Sequence, residues 1–447
     1  MKKIVLTLTA AILFAWQGLS FATSSVDALI QKLEDKGILT DQDAIQLKGE
    51  ISYNEQTSQK ATFKSMLPDW LNSIRLTGDF RLRYQYQRRD LPSGGLVLPR
   101  NNGKYRGRLQ LEDQINDKFK VIFGIATDGG NPRSNNVIMG GNSTANDAFG
   151  KGFIVANKAY AIYSPASFVT LKAGKMDNPI WEPTYVLWDP DTTPEGGDIE
   201  LQKKINDWIT PFSTTGIFVL HDAAPTGALR QDPFLFFEQY GIKGNLTDKA
   251  YYKAAGIYYN VHNPSNTLLT NSLGTNTIIQ GYGLRYSFND VIGGTAELGL
   301  NNPLKDVLPS FINVQQVGVI GQYTDNTASS RTGASWLIGG YAGNSVVNGW
   351  GTWRILTGYK VIERDAWLDS LPDNDFYSGD TNTAGYRTQL DIGLAKNVWM
   401  TLALFDTHVF KRFDSIVTSV TPNSGTSTAF ATRASETQAQ VDLNFRF

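Results

Sequence analysis

From Ile74 to Gln87 the chain alternates apolar and polar residues without a fault. Ile74, Leu76, Gly78, Phe80, Leu82, Tyr84 and Tyr86 take one set of alternate positions, and Arg75, Thr77, Asp79, Arg81, Arg83, Gln85 and Gln87 the other. A period of two puts these sets on opposite faces of a strand, whereas a helix would scatter both around its surface. One face is compatible with lipid and the other with water. The next segment repeats the pattern, with Lys104, Arg106, Arg108, Gln110 and Glu112 opposed to Tyr105, Gly107, Leu109 and Leu111. The chain also ends on it: Thr437, Ala439, Val441, Leu443, Phe445 and Phe447 face one way, and Gln438, Gln440, Asp442, Asn444 and Arg446 the other.

Between these ends the same rhythm predicts further strands at Phe119 to Thr127, Ile154 to Tyr163, Phe168 to Met176, Ile217 to His221, Leu235 to Gly241, Tyr251 to Asn260, Ile278 to Phe288, Thr295 to Leu300, Val314 to Tyr323, Ala334 to Tyr341, Thr352 to Ile362, Tyr386 to Leu394 and Val398 to Phe410. Tight turns at Ser164 to Ser167, Asn289 to Ile292 and Ala395 to Asn397 alternate with long stretches at Asp90 to Asn102, Asp128 to Gly152, Asn263 to Asn276, Asp365 to Ala384 and Asp414 to Ala431. Short turns at one end and long loops at the other are the two ends of an outer-membrane barrel. The expected fold is therefore all-β, a transmembrane antiparallel β-barrel of sixteen strands, or eighteen if Asp198 to Ile209 hides more. Barrels of that size leave an aqueous channel instead of a packed core.

Composition agrees with this and removes competitors. Mean hydropathy is −0.25 beside 12% aromatic residues, the balance expected of strands that meet lipid only at every second residue. A membrane helix needs ~20 consecutive apolar residues, and no such run lies beyond the N-terminus. The absence of cysteine excludes thiolate metal sites and cysteine nucleophiles. Lys plus Arg is 41 against 42 Asp plus Glu, a net charge of −1, so there is no basic field for nucleic acid. The three histidines, His221, His262 and His408, belong to no nucleophile–base motif. Neither an enzyme nor a cofactor is expected.

The N-terminus reads as an address. Lys2 and Lys3 precede an apolar stretch from Ile4 to Trp16, and Ser20-Phe21-Ala22 places small residues where a signal peptidase reads, so residues 1–22 are expected to be cleaved after Ala22. Residues 23–70 then form a periplasmic helical hairpin and tether. Val26, Leu29, Ile30 and Leu33 share a helical face, Gly37 breaks it, Thr40 or Asp41 caps a second helix bearing Ala44, Ile45 and Leu47, and Ser52 to Lys60 is polar. The apolar stripe either packs on itself, docks under the barrel, trimerises or meets another envelope component. Residues 71–447 are the barrel.

Two groups of charges bear on function. Pairing of the first two strands would gather Arg75, Arg81, Arg83, Lys104, Arg106 and Arg108 on one patch of inner wall, either as a field favouring anions or as solvated cations neutralised by Asp79 and Glu112. The segment Asn178 to Gly197 interrupts the rhythm with four prolines, two tryptophans and four acids. Folded inward, it would set Asp189, Asp191 and Glu195 against the cations at the narrowest point. Its alternatives are a calcium site or an ordered external loop.

Gly174-Lys175-Met176-Asp177-Asn178-Pro179 and Trp188-Asp189-Pro190-Asp191 through Pro194-Glu195-Gly196 resemble bacterial porins of the large-barrel type, and the resemblance extends over nearly the whole chain. It implies an outer-membrane channel for passive diffusion of small hydrophilic solutes or ions, and homotrimers, which are common among such barrels. The terminal strand ending in Phe447 resembles the signal read by the outer-membrane assembly machinery. Membrane lipid and lipopolysaccharide would be the remaining partners. The competing reading is a structural or adhesive barrel that works through its N-terminal helices or external loops.

Overall fold

A computed structural model of the chain describes residues 73–90, 96–128, 130–141, 152–182, 186–222, 232–262, 275–279, 283–284, 287–305, 314–411 and 435–447. The chain divides into two compact units, Met1–Ser73 and Ile74–Phe447. The signal peptide expected at 1–22 and the hairpin and tether expected at 23–70 lie outside the described residues.

Sixteen long strands follow one another: β1 (Ile74–Asp90), β2 (Leu96–Gln114), β3 (Phe119–Asp128), β4 (Phe153–Ala166), β5 (Val169–Lys175), β6 (Glu195–Gln202), β7 (Thr210–Val219), β8 (Phe234–Asn245), β9 (Ala250–His262), β10 (Val291–Asn301), β11 (Gln316–Asn326), β12 (Ala334–Gly343), β13 (Trp353–Ile362), β14 (Thr383–Ala395), β15 (Val398–Val409) and β16 (Ser435–Arg446). Each pairs antiparallel with its sequence neighbours, and β16 returns to β1, opposing Leu443 to Leu82 and Asp442 to Arg83. The sheet is closed, so no strand edge is left to meet lipid. The two-residue piece Val137–Ile138, from the connection after β3, adds itself beside Lys104 and Tyr105 of β2.

Alternation becomes an inverted partition of side chains. Leu76, Phe123, Val319, Ile338, Leu404 and Val441 are exposed on the outer face, while Arg83, Gln239, Gln322, Lys360, Gln438 and Asp442 are buried toward the lumen. Turns at one end are closed by local chemistry. Asn116 Oδ1 accepts from the backbone N–H groups of Lys118 and Phe119, Asn206 Oδ1 does the same for Trp208 and Ile209, and Asn397 takes a positive φ between β14 and β15. Most connections at the opposite end are longer, the 91–95 link between β1 and β2 being the shortest there.

Four expectations about elements are corrected. The described residues of Ile278 to Phe288 form no barrel strand: Ile278–Ile279 pairs with Gly283–Leu284, and Phe288 is buried in a core inside the barrel. Its apolar residues answer to protein and not to lipid. Consequently Asn289 to Ile292 is no tight turn but the approach to β10, which starts at Val291. The sixteenth strand is β6 instead, whose outer face carries only Ile199 and Leu201 as large apolar residues. Finally, much of Asp90 to Asn102 is strand, since β2 begins at Leu96, opposite Asp90.

The largest departure is the connection 363–382, expected outside with the long loops. Trp367, Leu368, Phe376 and Tyr377 are buried, as are Asp365, Asp369, Asp373 and Asp380. This loop folds into the lumen. Two of its carboxylates are held by neighbours: Asp365 accepts from Thr277 N and Oγ1 and from Thr332 Oγ1, and Asp369 accepts from Thr275 N.

Candidate functional site

The connection 176–194 between β5 and β6 also folds inward. Its neck is closed by Met176 N donating to Pro194 O at 2.9 Å, and Trp181 exchanges hydrogen bonds with the Gln239 side chain on β8, at 2.9 and 3.1 Å. Beyond the neck, Val186, Leu187 and Trp188 are almost fully buried. The Trp188 ring packs on Phe218 of β7, Tyr259 of β9 and Trp367 of the second inward loop, with centroids 6.0, 6.5 and 5.7 Å apart. Leu235, Phe237, Ile257 and Val261 complete the apolar cluster on the wall. The sequence supplies inward apolar residues on β7 to β9, where a water-filled wall would be polar, because a loop covers them.

The opposite side of the same loops is acidic and meets the cationic wall. β1 and β2 pair as expected, with Arg81 opposite Arg106 and Arg83 opposite Lys104. Arg83 donates Nε and NH2 to the two Asp442 oxygens on β16 at 2.8 and 2.9 Å, and NH1 to Asp375 of the second loop at 2.9 Å. Arg106 and Arg108 share two carboxylates. Asp79 accepts from them at 2.9 and 2.7 Å, and Asp191 of the first loop at 3.1 and 3.2 Å. Arg81 donates to Asn136 at 2.7 Å and Lys104 to Gln85 at 2.7 Å.

Not every expected site residue joins this cluster. Arg75 is exposed at the strand end, opposite Glu112. Asp189 turns away from the cations and ties the two loops together, accepting from Asp191 N at 2.8 Å and Asn374 N at 2.9 Å. Burial, together with Asp373 and Asp191 nearby, pushes its carboxyl up from the ordinary value. Glu195 opens β6 on the outer face that it shares with Ile199 and Leu201, and pairs with Lys175 at 2.9 Å. Its placement reflects where the strand begins: one residue of register decides the face.

Residues from three other places belong to the cluster. Asp442 was legible only as a polar-face residue of the last strand. Asp375 and Arg133 lie in connections whose composition resembles any exposed loop. Arg133 is buried beneath the second inward loop and donates NH1 toward the carbonyls of Pro372 and Gly379, both at 3.3 Å. Among the described residues, no group of three acids or histidines is placed to hold a metal ion.

Beside the first loop the lumen stays open. A cavity of about 340 Å³ is bordered by Asp79, Arg106, Arg108 and Gln110, by Lys158 of β4 and by Asp177. The open space therefore lies off-centre beside β1 to β4, while loops fill the β7 to β13 side.

A closed sixteen-stranded barrel with a lipid-compatible outside, a charged inside and loops folded into the lumen is an outer-membrane barrel of the porin class. The chain belongs to the family described as "Putative porin", which matches residues 98–277 and 312–447. Its place is the bacterial outer membrane, and passive diffusion of small hydrophilic solutes through a water-filled channel is its activity. Among solved structures, Pseudomonas putida OprB is similar in fold, with a TM-score of 0.51 at 8% identity over 85% of this chain and 96% of that chain. A triple mutant of the Rhodopseudomonas blastica porin aligns over 84% of this chain and 100% of that chain, at 12% identity and a TM-score of 0.41. No curated protein matches the chain.

Proposed function

We propose that solutes cross this porin along the β1–β4 wall and that the narrowest point lies where Asp191 meets Arg106 and Arg108. The observation carrying the reading is that one Asp191 oxygen lies 3.1 and 3.2 Å from the two guanidinium groups, with the apolar side of the same loop anchored on the opposite wall. Cations on the wall and acids on the loop make a transverse field, which orients dipolar solutes as they pass. Anion preference is modest, because Asp79, Asp191, Asp375 and Asp442 offset most of the charge of Arg81, Arg83, Lys104, Arg106 and Arg108. No step of this reading is catalytic.

Purified protein in a planar bilayer tests it. Wild type is expected to give discrete open steps. Arg106→Ala/Arg108→Ala is expected to lower the anion-to-cation permeability ratio and Asp191→Ala to raise it. Unchanged selectivity in both variants would move the narrowest point elsewhere.

The remaining parts of the proposal concern export and assembly. Cleavage follows Ala22, which the mass of the mature protein checks, and three copies associate within lipid and lipopolysaccharide, which native electrophoresis checks. The strand ending in Phe447 is the assembly signal. Phe447 exchanges backbone hydrogen bonds with Gly78 at 2.8 and 3.0 Å, and a Cβ at Gly78 would lie 2.6 Å from the Phe447 ring. Gly78→Val should therefore displace that ring and reduce the yield of folded barrel; an unchanged yield counts against the role of Phe447.

A further inference from the structure

Arg446 differs from Arg83, Arg89, Arg106 and Arg108 of this wall, which carboxylates hold. Its register partner on β1 is Asp79, yet both Asp79 oxygens are taken, one by Arg106 and the other by Arg108. Arg89 is held by Glu436, and Arg83 by Asp375 and Asp442. Arg446 is exposed at the short-turn end of β16, and among the described residues it has no ion-pair partner. Its guanidinium instead lies over the Trp399 ring of β15, 5.1 Å from the centroid. Stacking on an aromatic face orients a guanidinium but leaves its N–H edge free.

The surroundings suit an incoming ligand. Arg446, Asn444 and Trp399 border the same 340 Å³ cavity as Arg108 and Lys158. Lys158 is paired with Asp177, whose side chain remains 60% exposed. Along the wall, compensation by carboxylates thus falls from the long-loop side, where Arg83 has two acids, to the short-turn mouth, where Arg446 has none. A planar fork with free donors matches the two oxygens of a carboxylate or a phosphate.

We propose that Arg446, stacked on Trp399, is a docking point for the oxyanion of a permeating solute, a carboxylate or a phosphate, with Arg108 the next cation on its path. The inference rests on the β1–β4 passage and deepens it by naming the solute chemistry. Binding is weak and reversible, as a conducting site requires. It makes flux of such solutes saturable, unlike that of neutral solutes of the same size.

The test uses the full-length protein in planar bilayers. Current is first recorded in potassium chloride alone, then with succinate or inorganic phosphate added from the short-turn side. Wild type should show steps in chloride that both anions reduce in a concentration-dependent way. In Arg446→Gln the steps persist, but the half-blocking concentration rises about tenfold, the loss of one charge-assisted hydrogen bond. Arg446→Lys keeps the charge without the fork and falls between; it also serves if Arg446→Gln fails to fold. Block by only one of the two anions assigns the site to that source. Equal block of wild type and both variants, or block of none, overturns the docking site while leaving the pore intact. Absence of steps in chloride overturns the pore reading itself, separately from the site.

Discussion

Trp188→Ala is expected to raise single-channel conductance several-fold while leaving the barrel folded. The indole is 3% exposed, touches Phe218, Tyr259 and Trp367, and donates Nε1–H to the Tyr259 hydroxyl at 3.3 Å. Truncating a buried Trp costs about 3–5 kcal/mol through lost contacts and the cavity left behind. That penalty falls on the loops, because no ladder hydrogen bond of the sixteen strands involves Trp188. Once the apolar side detaches, the loops lose their anchor on the β7 to β9 wall while the polar contacts of Asp191, Asp375 and Arg133 persist, and the lumen widens. Planar-bilayer recordings, together with the heat-dependent gel shift of the folded barrel, check this. Wild-type conductance in a folded variant would mean that the loops are retained by other contacts.

The second large effect is expected from Arg83→Leu. Its guanidinium serves Asp442, buried on β16, and Asp375, half-buried on the second inward loop, so the substitution leaves Asp442 with only the longer contact to Arg81 at 3.7 Å and takes from Asp375 its hydrogen-bonded cation. Breaking one partner of a buried ion pair costs about 3–5 kcal/mol, whereas replacing both partners by apolar residues is often neutral. Arg83→Leu should therefore lower the unfolding temperature markedly, and Arg83→Leu/Asp442→Leu should recover part of the loss. A single variant as heat-resistant as wild type would show that the pair is well hydrated.

The same contact carries a pH dependence. Burial alone would raise the Asp375 carboxyl, but the Arg83 and Lys104 charges outweigh it and hold it below the usual carboxylate range. A group depressed in the folded state contributes stability above its unfolded pKa and loses it as the pH falls toward the folded value. The latch between the second loop and β1 is thus at full strength at neutral pH and weakens below about pH 3.9, the ordinary Asp value. Arg83→Leu, which leaves Lys104, should reduce that acid sensitivity.

Much of this molecule was legible in the chain because alternation is a local property. Which face of β1, β2 and β16 meets lipid, and that Arg81, Arg83, Arg106 and Arg108 share the other, depends only on parity within each strand. The count of sixteen survived an exchange of elements: Ile278 to Phe288 left the barrel and Glu195–Gln202 entered it. The first has apolar residues covered by protein, and the second has few apolar residues although it faces lipid. Period and hydropathy report how apolar a segment is and not what covers it.

The inward position of 176–194 was foreshadowed by its prolines and tryptophans, but that of 363–382 was not. Trp367, Asp365 and Asp369 find their partners at Trp188, Thr277, Thr332 and Thr275, all distant in sequence. Glu195 and Asp189 show the same limit on a smaller scale, since the start of β6 turns one outward and Asn374 draws the other away from the wall. By itself, then, the sequence determined the barrel, its polarity and its cationic wall, each set by spacing along a single strand. Which acids face that wall, and which side of the lumen stays open, was decided by tertiary structure, because a loop's course depends on the surfaces that strands far apart in the chain bring together.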